Sequence, residues 1–506
     1  MEMHATDTDV GPGDRPFPDA RTAGQAETLF RFSRLREEDE DDAAQLDPSI
    51  LRALAEAMAR GGGGASDVPA GYTYLGQFVA HDLSFERSRP PLGNRVRRTS
   101  LVQQRSPRLD LDSMYGHGPD GDPAGPYEAD GARLKVGTTA GPGGARGRPG
   151  LDLARDGDEA PLATIPDRRD DENLAVAQIH LAFIRFHNAV VDDLEADRVP
   201  GDLFGLARDI VTKHYQWLIR DDYLTKVCRA DVIAAVFDHD ERKLFEVDAQ
   251  PDVTPTMPVE FSVAAFRFGH SMLRTNYRWN EVLDGGLVSL DRLFDLTGRA
   301  NEATPEWRLP DTAVADYRRL FDFGDNEKDL NLAMRIDTAL VGRLSSVPAR
   351  IVERDPLPDG DPRANIAYRD LVRAKDLRLA SGQEMVALLR QARVPVTALS
   401  AEQIAVGDNG AQLDVLGPAT VAAIVANTPL WFYVLREAEV NGGKLGHVGA
   451  RIVVEVVHRA MEASGASIVR ERSWRPQYGP GDGTFGMTDL LTVAFGQAHL
   501  DNPLGR

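Results

Sequence analysis

Two histidines in this chain stand in surroundings that suit them to different work. His81 follows Gln77 by four residues in Gly76-Gln77-Phe78-Val79-Ala80-His81-Asp82, a spacing that puts both side chains on one helix face, within reach of a single small ligand. An imidazole so placed serves first as general base and then as general acid. His270 closes the run Ala265-Phe266-Arg267-Phe268-Gly269-His270, and a neutral imidazole is the commonest metal ligand among side chains. Between them, Arg169 opens Arg169-Asp170-Asp171-Glu172-Asn173. Its permanently charged fork of donors suits negative charge growing on a leaving oxygen. Each piece has an ordinary reading as well: a half-exposed helix face for Gln77 and His81, a hydrogen-bonded core residue for His270, and a solvated ion-pair cluster for Arg169 among Asp167, Asp170, Asp171 and Glu172. Singly, the ordinary readings win; the ordered set outweighs them.

As a set, the three segments resemble the peroxidase–cyclooxygenase superfamily, the animal-type haem peroxidases, and within it the bacterial members. Phe266-Arg267-Phe268-Gly269-His270 matches the superfamily's proximal segment nearly letter for letter. The resemblance implies a haem peroxidase with haem b, in which His270 binds the iron and Arg267 pairs with a haem propionate. His81, Arg169 and Gln77 would handle hydrogen peroxide, and the electron donor would be a small phenol-like molecule, halide or pseudohalide. It also implies calcium, held by Asp82 with Ser106, the carbonyl of Arg108, Asp110 and Asp112. Carboxylate, hydroxyl and carbonyl oxygens are the donors calcium takes. Without the resemblance, Asp110-Leu111-Asp112 reads as a half-buried turn.

The chain departs from the animal enzymes in two places. Ala80 precedes His81 and cannot form an ester to haem, and Asn173 follows Glu172 and cannot form a sulfonium link, so Glu172 is left as the candidate for one covalent ester. Fewer electron-withdrawing links favour phenols, bromide, iodide or thiocyanate over chloride as donor. The superfamily also places an asparagine beside the proximal histidine. Spacing puts Asp370 there, with Asn365 serving if the alignment slips by five. An ionised Asp370 would give His270 imidazolate character.

Three other readings compete. A haem fatty-acid dioxygenase of the same superfamily would carry a tyrosine three residues before His270, where this chain has Arg267. A metal-dependent phosphohydrolase could use His81-Asp82 with His180 and His187. A haem protein that binds without turnover is the third. His117, His214, His239, His447, His458, His499 and Cys228 carry no assignment.

The elements that must position these residues read as helices. Leu51, Leu54, Ala55 and Met58 mark a helix stopped by Gly61-Gly62-Gly63-Gly64. Leu174, Ala177, Leu181, Ile184, Val191 and Leu194 describe one long amphipathic helix with Arg169 just before its first turn. Further helical periodicity covers 203–219, 259–273, where Pro258 helps the start, then 330–344, 382–392, 418–440 and 447–463. Strand-like alternation is scarce. The expected fold is mainly α, an animal haem peroxidase-like helical fold with long loops and little β. Residues 1–48 read as an acidic, mobile or loosely docked arm, 49–500 as the domain, and 117–161 as a Gly- and Pro-rich surface excursion with little regular structure. Pro429 through Arg451 resembles the family's C-terminal helical part, with buried packing as its role.

With 506 residues and 42% hydrophobic content, the chain can bury a large core, and a net charge of −20 argues against nucleic-acid or anionic-membrane surfaces. One cysteine excludes an intramolecular disulfide and a multi-cysteine metal site. The N-terminal residues lack the basic start and apolar run of a secretory signal, and no stretch reads as a bilayer span, so a cytoplasmic protein is the default expectation.

Overall fold

The protein is described by a computed structural model covering residues 30–36, 45–122, 125–155, 161–239, 241–244, 255–324, 328–347, 357–358 and 360–505. The fold is mainly α, as the sequence periodicity predicts. The helices that build the site are α1 (Pro48–Arg60), α2 (Gly71–Leu83), α3 (Leu174–Ala196), α4 (Leu203–Leu218), α5 (Ile366–Asp376), α6 (Gly382–Gln391), α7 (Leu430–Val440), α8 (His447–Ala463) and α9 (Met487–Phe495). Their starts are written locally. Asp47 accepts the Ser49 N–H with Pro48 at the first helical position, Asn173 accepts the Val176 N–H, Asp202 accepts the Gly205 N–H, and Asn365 accepts the Tyr368 N–H.

At the centre lies α3, packed on α2, α4 and α9. Phe78 of α2 stacks on Phe183 of α3, with ring centroids 4.8 Å apart, and Tyr215 of α4 meets both edge-on. Gly76 of α2 lets Tyr223, beyond the end of α4, approach closely, because a β-carbon there would overlap the Tyr223 hydroxyl. Contrary to the sequence expectation, α3 is long and apolar enough to cross a membrane, but 83% of its apolar window is buried inside the protein, as befits a core helix. A second layer sets α5 against α1 and α7, and α7 against α8.

Among the described residues, strands occur only as two-stranded ribbons: β1 (Arg31–Ser33) runs parallel to β5 (Thr256–Pro258), β2 (Ala65–Pro69) pairs with β8 (Leu332–Met334), β3 (Val136–Ala140) with β4 (Arg146–Leu153), and β6 (Asn276–Tyr277) with β7 (Val288–Ser289). They correct several expectations. Part of the N-terminal arm is docked through β1, while the rest of 1–44 lies outside the described residues. The 117–161 stretch contains the β3–β4 hairpin, whose Leu151, Asp152 and Leu153 are buried against α3. Its glycines there serve turns: Gly143 and Gly144 have positive φ. The helix expected over 330–344 is instead β8 and irregular chain, because pairing with β2 satisfies that backbone. The helix expected over 418–440 breaks at Asn427-Thr428-Pro429, where Gln383 caps Thr428.

The segment expected to be a regular helix over 259–273 differs most. Pro258 ends β5, Glu260–Ala264 forms a π-helical turn, and Ala265–Met272 winds as a 3₁₀ helix after a break at Ala264 (φ −129°, ψ −75°). In a 3₁₀ helix residues three apart eclipse one another. Arg267, His270 and Leu273 therefore share one face, and all three are partly open, while Phe266, Phe268, Ser271 and Met272 are buried.

Candidate active site

The buried surface of α2 is interrupted along one stripe. Gln77, Ala80 and Ser84 are half-buried, and the His81 side chain keeps 10% of its surface, while nearly every other residue of the helix is closed. These positions are three and four apart, so they line one face. The 3₁₀ segment packs directly against α2. Its own stripe is wider open: His270 is 36% and Arg267 33% exposed, and a β-carbon added at Gly269 would meet no atom within 4 Å.

Each histidine is anchored through Nδ1. His270 Nδ1 lies 2.8 Å from Asp370 Oδ2 on α5, and Asp370 Oδ1 pairs with Arg267 Nη1. Burial works against ionising Asp370, but the Arg267 guanidinium and His270 overcome it and hold its carboxyl below the ordinary value. An ionised carboxylate only accepts, so His270 Nδ1 carries a proton, and in the neutral ring Nε2 is bare. Asn365, the alternative partner, caps α5 instead. Arg267 also donates through Nε to the Ser262 carbonyl at 3.1 Å, and Trp431 of α7 donates to the Arg267 carbonyl at 3.3 Å.

On the α2 side, His81 Nδ1 lies 2.7 Å from Asp170 Oδ1, and His180 Nδ1 lies 2.8 Å from Asp170 Oδ2. Burial opposes the charge on Asp170, and the two imidazole hydrogen bonds prevail, leaving its carboxyl below the ordinary value. Arg169 reaches under the C-terminal end of α2. It donates through Nη1 to the Ser84 carbonyl at 2.9 Å and through Nη2 to the His81 carbonyl at 3.0 Å. Asp167 takes its Nε and Nη2, and the cation sits 4.3 Å from the Phe85 ring centre. Asp167, Asp170 and Asp171 are buried, with Arg105 on Asp167 and Arg155 on Asp171, so the acidic run around Arg169 is interior structure rather than a solvated cluster. Gln77 Oε1 accepts from Asn173 Nδ2 at 3.0 Å, and Glu172 is ion-paired with Arg299 at 3.0 Å.

Asp82 points away from this face. It is fully buried, and ligand oxygens of Asp82, Asp110 and Asp112 all lie within 4.8 Å of one another. Ser106 Oγ donates to Asp110, and Asp112 Oδ1 has no hydrogen-bond partner. Burial, then the neighbouring aspartates, raises Asp82 well above a carboxylate's ordinary value, and burial first lifts Asp110 to about 7 and Asp112 to about 6. The side chain of Arg108 turns off to the Ala463 carbonyl. His180 and His187 do not join Asp82: the first is on Asp170, and the second bridges Tyr115 and the Ala132 carbonyl.

The sequence reading named the side chains His81, Arg169, Gln77, His270, Arg267 and Asp370 but not the roles of Asp170 and His180, nor the partners Arg105, Arg155 and Arg299. Asp170 and His180 are ten residues apart across a helix start, and nothing in their spacing announces that they meet beside His81.

The donor set fits haem: a Nε2-free imidazole fixed by a carboxylate, an adjacent arginine, and open space at Gly269 beside them. Comparison with known proteins agrees. Residues 67–298 match the animal haem peroxidase family. A peroxidase-like protein of Margaritifera margaritifera is 32% identical over 124 residues, covering 24% of this chain and 15% of that protein's length. Peroxidase A from Dictyostelium discoideum has the same fold, with TM-score 0.59 and 15% identity over 92% of this chain and 94% of that one. So does the fatty acid alpha-dioxygenase of Arabidopsis thaliana, with TM-score 0.53 and 15% identity over 94% of this chain and 75% of that one. The segment that holds His81, Arg169, Glu172 and His270 thus matches the animal haem peroxidase family, on a fold like that of the Dictyostelium peroxidase A and the Arabidopsis fatty acid alpha-dioxygenase.

Proposed function

We propose that this protein is a haem peroxidase that uses hydrogen peroxide to oxidise a small phenol-like, halide or pseudohalide donor. One observation carries the reading: two histidines on packed, otherwise closed elements, each tied through Nδ1 to a buried aspartate, each on a stripe that is open. His270 Nε2 would hold the iron, with Arg267 as the nearby cation for a propionate and Glu172 as the candidate for one ester. Bound there, haem supplies the redox chemistry between peroxide and donor. His81 Nε2 takes the proton of the incoming peroxide and returns it to the departing oxygen. Gln77, fixed by Asn173, orients that ligand. Arg169 secures the end of α2 and places positive charge there.

Calcium is proposed for Asp82, Ser106, Asp110 and Asp112 with the Arg108 carbonyl. Three carboxylates this close, with Asp82 fully buried and Asp110 and Asp112 half-buried, need a cation to stay charged. The ion would tie the 106–112 loop to α2, and so to His81.

The fatty-acid dioxygenase reading is weaker at one residue: the position of the tyrosine is Arg267, committed to Asp370 and the Ser262 carbonyl. A visible spectrum of protein supplied with haem, before and after one equivalent of hydrogen peroxide, tests the proposal. A Soret band that changes on peroxide and is disturbed by His270→Ala is expected; a colourless protein would overturn it.

A further inference from the structure

Asp170 is a carboxylate that the reaction proposed above does not use. It sits fully buried on the 3₁₀ turn Arg168–Asp171, and both oxygens are taken by imidazoles, His81 at 2.7 Å and His180 at 2.8 Å. His180 belongs to α3, its side chain has no exposure, and its ring meets Phe78 edge-on at 5.6 Å. Its Nε2 is buried and has no hydrogen-bond partner. Around the group stand Asp167, Arg169 and Arg105 with their mutual ion pairs, and Tyr215 from α4.

A carboxylate offers only acceptors, so both Nδ1 atoms carry protons, and in the neutral form of each ring Nε2 is bare. The two imidazoles are not equivalent. A proton added to His180 Nε2 would be buried with nothing to accept it, which is costly. His81 lies on the open stripe of α2, where an added proton meets solvent or ligand. Holding both oxygens also stops the carboxylate from rotating, which fixes the plane of the His81 ring.

We propose that Asp170 is a positioning residue for His81, locked by His180, that holds His81 as the Nδ1–H tautomer and so keeps its Nε2 bare as the proton acceptor of the site. The catalytic part of this statement rests on the peroxidase reading; the tautomer does not.

The test is two-bond ¹H–¹⁵N NMR of histidine-labelled protein without haem, with His81→Gln identifying the signals. His81 in the unsubstituted protein is expected as the Nδ1–H tautomer. In Asp170→Asn the amide has one acceptor and one donor side, so it cannot accept from both rings, and one must turn to Nε2–H. Burial of His180 Nε2 selects His81 as the ring that switches. In haem-loaded Asp170→Asn, cyanide association, which needs a base to remove the proton of HCN, is expected to slow about tenfold or more. An Nε2–H tautomer for His81 in the unsubstituted protein would overturn the proposal even if Asp170→Asn does not fold, and so would an unchanged His81 in that variant. Failure to take up haem would remove the peroxidase reading and leave the tautomer result standing.

Discussion

His81 and His270 are held by one device in two settings. Each gives Nδ1 to a buried aspartate whose second oxygen is already engaged, by His180 on the α2 side and by Arg267 on the 3₁₀ side. The second partner makes the difference. Arg267 is a permanent cation, so Asp370 pulls on His270 with its charge balanced, which suits the metal-binding role proposed for that imidazole. His180 carries no obligatory charge and is sealed from solvent, so Asp170 keeps its negative charge facing His81, which suits an imidazole that must gain and lose a proton. The openness of the two stripes follows the same division: 36% for His270 and 10% for His81.

The comparison breaks most visibly at His270. His270→Ala should abolish the Soret band of haem-supplied protein, while His81→Ala should leave haem uptake intact; equal loss in both, read by absorbance titration, would dissolve the distinction between ligand and base. Calcium comes next. Chelation should destabilise the α2 side by about 3 kcal/mol, the linkage expected for an ion present at about a hundred times its Kd, read as a lowered denaturation midpoint that added calcium restores. A chelator-insensitive protein would remove the ion from the Asp82 cluster.

Asp370→Asn sharpens the proximal side. It should raise the ferric/ferrous potential by on the order of 60 mV, the one-electron equivalent of a tenfold change, because a neutral amide pulls less on the His270 proton. No change by redox titration would leave Arg267 as the sole determinant there.

Stability against pH should separate the supporting layers. Asp170 and Asp370 are depressed, so their contribution is complete above the unfolded value near pH 4 and is lost only as pH falls below it. Glu437, which caps α8 from α7 beneath the 3₁₀ segment, is pushed by burial up to about 7. A raised carboxyl binds more protons folded than unfolded between about pH 4.3 and 7, so stability should decline as pH rises through that window. Glu437→Gln should flatten the slope in urea melts. The smallest effect is Gln77→Ala, which removes the Asn173 hydrogen bond and should cost about 1 kcal/mol, with a weaker response to small ligands and no change in haem uptake.

The amphipathic patterns over 51–60, 174–194, 203–219 and 447–463 appear as helices, because each buries an apolar stripe on a neighbour; the first three are capped by the adjacent Asp47, Asn173 and Asp202, and the last by Glu437 of α7. Local pattern failed at 330–344 and 259–273. In the first, pairing with a strand more than 260 residues away decided the backbone. In the second, an apolar period compatible with an α-helix was redistributed into a π turn and a 3₁₀ helix, which aligns Arg267 with His270 over Asp370.

What the sequence determined by itself is which side chains are present and the helical frame on which most of them ride: Gln77 and His81 on one face, Arg169 before a capped helix, Asp110 and Asp112 two apart. That much follows from periodicity and capping, which act within a few residues. Tertiary structure alone decided that Asp170 serves His81 and His180 together, that Asp370 also holds Arg267, and that Arg169 braces the end of α2. Hydrogen bonds to buried charges depend on the position of atoms from chain segments brought together only by packing the core, and no local spacing encodes that placement.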